Sequence, residues 1–134
     1  MNEAPRVEVS LRFQSLTTTV EEMTAIAGLN PDRSAPAYFA PWGAQVNRPT
    51  HLWIIQEKVV TDDYEIGVDK LVARAASNLP AFVALRQVCE SCDLSIAIYA
   101  SPVEDSSPGL DFSRETLELL GALDASLSVE AYTG

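Results

Sequence analysis

The sequence is poor in the residue types that usually carry chemistry. It holds one histidine, His51, two cysteines, and nine basic residues against nineteen acidic ones. The resulting net charge of −10 leaves no cationic surface for neutralising phosphates. That excludes sequence-independent binding to DNA or RNA and argues against an anionic membrane surface. No apolar run approaches the roughly 20 residues that a membrane helix needs. The longest candidate, Ala73 to Ala84, is broken by Ser77, Asn78 and Pro80. Met1 to Gln14 alternates polar and apolar residues and lacks the apolar core of a signal peptide. A cytoplasmic protein is expected. There is also no phosphate-binding loop, nucleophile elbow, paired-histidine motif or EF-hand loop.

What is present is enough for a core. In 134 residues, 47% are hydrophobic and 21% charged, which fits one folded domain over residues 1–134 rather than a disordered chain. The cysteines form a Cys89-Glu-Ser-Cys92 pair. Redox-active pairs sit at helix N-termini, where the dipole lowers the thiol pKa. This pair instead ends a predicted helix beside Glu90 and Asp93, which should raise it. Zinc needs about four N/S ligands, and the chain offers only these two and His51. The pair is read as reduced and packed, with no metal and no cofactor implied.

Hydrophobic periodicity lays out the elements. Arg6 to Gln14 places Val7, Val9, Leu11 and Phe13 on one face of a strand. Thr19-Val-Glu-Glu22 is a capping box that opens a helix with Val20, Met23, Ile26 and Ala27 on one side. Gly28 and Pro31 end it. Asn30 to Thr50 carries four of the eight prolines and reads as a loop, with short extended pieces near Tyr38-Phe39 and Ala44-Val46. Leu52-Trp-Ile-Ile55 marks a second strand.

From Gly67 the period becomes helical through Val68, Leu71, Val72 and Ala75, and Pro80 starts another helix. Ser77-Asn78 divides the two. Leu94, Ile96 and Ile98 then define a strand. Ser113 caps a last helix, with Leu117, Leu120 and Leu123 expected inward. Leu127, Val129 and Ala131 form the closing strand. A strand, a capped helix and a further strand occur near each end. The expectation is an α+β fold: a ferredoxin-like two-layer sandwich of two βαβ halves, joined by a central helix pair, with the helices on one face of the sheet.

The ending Pro108-Gly-Leu-Asp-Phe-Ser113 through Leu120-Gly-Ala-Leu123 to Leu127-Ser-Val-Glu-Ala-Tyr132 resembles the domain-of-unknown-function family 4279 (DUF4279). Ala27-Gly-Leu-Asn-Pro31 and Pro49-Thr-His-Leu-Trp53 agree with it, and the likeness covers nearly the whole chain. The segment from Asp32 to Arg48 departs most from the family pattern. The resemblance implies a small, mostly bacterial, stand-alone protein with no assigned reaction.

The candidate sites come from composition. Arg33 through Gln56 contains no acid, whereas 24 × 19/134 gives an expectation of about three. The same stretch holds Arg33, Tyr38, Phe39, Trp42, Arg48, His51 and Trp53. Arginine and aromatics are enriched in interface hot spots and binding pockets, so Arg33, Trp42, Arg48 and His51 are the candidate binding residues. Trp53 is assigned to the core. A second candidate is the uncovered sheet face with Arg12, Tyr99 and Tyr132, suited to self-association. Asp62-Asp63, with Glu65 and Asp69, is read as favouring a helix N-terminus rather than as a cation site.

These features rank a non-catalytic protein-interaction module first, possible forms being an immunity-like partner of a basic protein or a homodimer. A small-molecule or anion binder using the Arg33–Trp53 segment is the alternative. An enzyme ranks last, because nothing places His51 beside a nucleophile.

Overall fold

The computed structural model describes residues 7–38, 50–60, 64–100 and 112–133. Among them run β1 (Val7–Ser15), α1 (Val20–Ala27), β2 (Arg33–Tyr38), β3 (Thr50–Val59), α2 (Tyr64–Ala76), α3 (Leu79–Gln87), β4 (Ser91–Ala100), α4 (Arg114–Ala122) and β5 (Ser126–Thr133). The described residues form a mixed α+β structure, a five-stranded sheet with four helices.

The strand order is β2-β3-β1-β4-β5. β1 is central and antiparallel to both β3 and β4, β2 is antiparallel to β3, and β5 is parallel to β4. Only β4-α4-β5 is a βαβ unit with adjacent parallel strands. The first half differs: β2 runs parallel to β1, but β3 lies between them. The added edge strand β5, parallel to β4, means that the order is not a simple ferredoxin pattern.

Alternation in β1 explains the layering. Val7, Val9, Leu11 and Phe13 are fully buried. They join Trp53, Ile55 and Val59 of β3 and Leu94, Ile96 and Ile98 of β4 in one core. Buried residues of every helix enter that same core, including Met23, Leu71, Phe82 and Leu119. Its aromatic centre is Phe13, which stacks on Phe82 at 5.9 Å and meets Trp53 edge-on at 5.8 Å. The Trp53 indole N–H donates to Thr24 Oγ1 at 3.2 Å, so the buried ring keeps its polar atom satisfied.

Local signals act as expected at most helix ends. Thr19 Oγ1 accepts from the Glu22 amide at 3.2 Å, and Glu22 Oε1 accepts from the Thr19 amide at 3.1 Å. Gly28 closes α1 at φ +73°, a conformation glycine adopts without steric cost. α2 and α3 part at Ser77-Asn78, where the Asn78 side chain donates to the Ala27 carbonyl at 2.7 Å.

Two expectations need correction. The segment from Asn30, read as loop with an extended piece near Tyr38-Phe39, contains a full strand, β2, that starts at Arg33 and reaches Tyr38, because Asp32 anchors its start. The Asp32 amide donates to the Ile54 carbonyl and its carboxylate accepts from the Gln56 amide, both at 2.8 Å. The helix α4 is also rotated from the expected face. Leu117 is 56% exposed, while Thr116 and Leu119 are buried beside Leu123. Thr116 is tolerated inside because Ser113 Oγ lies 3.0 Å from its hydroxyl. The extended piece at Ala44-Val46 lies outside the described residues.

Candidate functional site: the groove between α2 and α4

Helices α2 and α4 pack side by side and leave a groove along their join. On α2 the residues Glu65, Val68, Asp69, Val72, Ala73 and Ala76 fall three or four apart, hence on one stripe. On the other side Phe112 and Ser113 lead into α4, followed by Glu115 and Thr116. The groove has two lobes, of about 230 Å³ and about 360 Å³, that share Asp69 and Ser113. Tyr64 and Phe112 close one end, their rings edge-on with centroids 6.2 Å apart. Ala73 and Ala76 keep the other end wide by having almost no side chain.

The chemistry of the lining is one-sided. Glu65, Asp69 and Glu115 stand exposed around it, and the described lining contains no cation. Glu65 and Glu115 also occupy first turns, where they complement the helix dipole. Asp69 lies beyond the first turn of α2, so the dipole does not account for it. No group of three metal-ligating side chains occurs among the described residues. The arrangement offers an apolar floor with carboxylates at its edge, chemistry that matches a cationic, partly apolar group.

The residues singled out by composition are not brought together. Arg33 is exposed on β2, directly across from Ile54, on the sheet face opposite the helices. His51 pairs with buried Ser15, so it belongs to the helix side, near Glu22 of α1. Trp42 and Arg48 lie outside the described residues. Arg12 and Tyr99 do share the helix-free face, and Tyr132 takes the register position beside Tyr99. Tyr99 donates to Glu8 Oε2 at 2.8 Å, and Lys58 lies 3.5 Å from the same carboxylate. Arg12 stands across from Asp93; its Nε is buried without a hydrogen-bond partner among the described residues.

Electrostatics elsewhere serve the fold. Arg74 Nη1 donates to Asp32 at 2.9 Å, to Glu57 at 2.8 Å and to the Gln56 carbonyl at 3.1 Å. Burial works against its charge, yet the bonds to Asp32 and Glu57 outweigh that and hold its pKa above the usual value. Burial pushes the thiols of Cys89 and Cys92 up to about 12, with Glu90 adding to the rise at Cys89 and Arg86 opposing it. The thiolate is the reactive form, so neither cysteine is poised for redox work at neutral pH.

Sequence reading reached the acidic end of the groove, since Glu65 and Asp69 stood out beside Asp62-Asp63, but assigned it to helix capping. Tyr64, Phe112, Ser113 and Thr116 were missed. Their only signal was the Phe-Ser entry to α4, which is informative only once α2 is known to lie against it.

A mixed α+β chain with an acidic groove between two of its helices belongs, on comparison, to a known family. Residues 5–134 match the model of the Domain of unknown function (DUF4279) family, and the chain is a member of it. No curated protein and no solved structure matches it.

Proposed function

We propose that this protein is a non-catalytic interaction module that takes a basic segment of another protein into the α2/α4 groove, as an immunity-like partner would. The carrying observation is the lining itself: Glu65, Asp69 and Glu115 edge an apolar floor, with no cation in the described lining. A net charge of −10 would speed encounter with a basic partner at low salt. The match over residues 5–134 supports reading the chain as one domain. Unbridged, buried Cys89 and Cys92 go with a reducing, cytoplasmic setting.

A ferredoxin-like description of the architecture belongs to the same reading. Its support is that β1-α1-β2 is split by β3 and β3-α2-α3-β4 is split by β1, with β5 as an addition at the edge.

The test is fluorescence anisotropy with a labelled lysine- and leucine-containing peptide. Asp69→Asn with Glu115→Gln is expected to weaken capture several-fold, as for loss of two exposed ion pairs. Removing two charges elsewhere, by Glu21→Gln with Asp124→Asn, should leave it nearly intact. Equal losses in both double variants would reduce the effect to net charge and end the groove assignment.

A second reading, anion binding, draws on Arg12 and Arg33, which flank Ile54 across adjacent strands of the helix-free face. Among the described residues the buried Arg12 Nε has no partner, and an oxyanion would supply one. Thermal stabilisation by inorganic phosphate that disappears in Arg12→Gln would favour this reading over the first.

A further inference from the structure

We infer that β5 is a self-pairing edge, through which two copies of this chain join their sheets across a two-fold axis. β5 is the outer strand of the described sheet, and its far side presents main-chain donors and acceptors with no strand beside them among the described residues. The opposite edge is guarded. β2 contains Pro36, which has no amide hydrogen, and its register shifts between Ala35 and Tyr38. β5 has neither device: its eight residues include no proline, no lysine and a single charge, Glu130. In a chain with 28 charged residues among 134, that is a locally neutral strip.

The strand is also self-complementary. A two-fold axis normal to the sheet pairs residues of equal facing, so the axis must pass through a residue position. An axis at Val129 sets Leu127 opposite Ala131, Ser128 opposite Glu130 and Ser126 opposite Tyr132, and pairs every residue from 126 to 132. An axis at Glu130 would set that carboxylate against its own copy, and an axis at Ser128 pairs only residues 126–130. The Val129 axis therefore joins the most residues without opposing like charges. It also covers Leu127, which is 39% exposed on the helix side of the sheet. The product is one continuous ten-stranded sheet, and because the α2/α4 groove takes no part in the pairing, this inference stands apart from the function proposed above.

Sedimentation equilibrium of the 134-residue chain tests it, with Ser128 as the probe because its side chain is exposed. The wild type should dimerise, more tightly as salt screens the repulsion between two acidic copies. Ser128→Glu puts a carboxylate opposite Glu130 at both symmetry-related positions and should weaken the dimer at least tenfold. Ser128→Lys creates two opposite-charge pairs and should tighten it several-fold. Circular dichroism melts of both variants, unchanged from wild type, establish that the fold is intact. A wild type that stays monomeric at all concentrations, a dimer indifferent to both substitutions, or one weakened equally by either charge would overturn the proposal.

Discussion

Gly67 shows how closely this molecule is fitted. A Cβ at that position would stand 3.0 Å from Val9 Cγ2 and 3.3 Å from Val59 Cγ2, in the middle of the sheet. Gly67→Ala gains about 1 kcal/mol of helix propensity but meets an overpacking cost of about 1–3 kcal/mol. Because Val9 is fully buried and has nowhere to move, a net loss of about 1 kcal/mol is expected from urea denaturation. Asp93 makes a prediction about pH. Burial raises its carboxyl above the ordinary range, and Arg12 pulls it partly back. The native state then holds this proton more tightly than the unfolded chain does. Its penalty is absent below the unfolded pKa and grows as pH rises from about 4 through the raised native value. Asp93→Asn should therefore flatten the fall in urea midpoint over that window, while an unchanged pH profile would assign the fall to other groups.

Elements with a local cause were legible in the sequence, and elements with a distant cause were not. The capping box at Thr19 and Glu22 is written within four residues, and the alternation of β1 within nine. β2 could not be read that way, because what fixes it is Asp32 bonded to Ile54 and Gln56, twenty-two and twenty-four positions away. The face of α4 failed for a related reason. Leucines at 117, 120 and 123, spaced three and three, and Thr116, Leu119 and Leu123, spaced three and four, both fit one helical face, and hydrophobicity favours the former. Ser113 reverses the choice by satisfying the Thr116 hydroxyl. The candidate groove needed two such elements to be known together. For α1, Thr19→Ala is expected to cost about 1 kcal/mol. The Thr19 amide also holds the Glu22 carboxyl below its ordinary pKa. That bond stabilises the fold above the unfolded value of about 4.3 and fades as pH falls through the lower native value. A Glu22 titration by NMR should show the depression in the wild type and its partial relief in Thr19→Ala, which removes the hydroxyl bond to Glu22 Oε1 and keeps the amide.

At the scale of the whole molecule, a charge of −10 repels itself as well as attracting others. Added salt screens that repulsion, so the melting temperature should rise between low and moderate ionic strength; a flat response would mean the charges are already paired locally. Salt then separates the three behaviours assigned to this chain. It should raise stability, strengthen the pairing of like copies and weaken capture of a basic peptide.

The tight seat of α2 has a mechanical consequence. Since Gly67 lets this helix sit tightly on Val7, Val9 and Val59, lifting α2 to open the groove would forfeit close packing against the sheet. Adjustment would then fall to α4, whose seat rests on the Ser113 cap, on Leu119 and Leu123 in the core, and on Arg86, whose Nε donates to the Leu123 carbonyl at 2.8 Å. A visitor to the groove would be accommodated by one hinged jaw closing on a fixed anvil. Its arrival would register as slowed amide exchange along α4, with α2 and β1 scarcely changed.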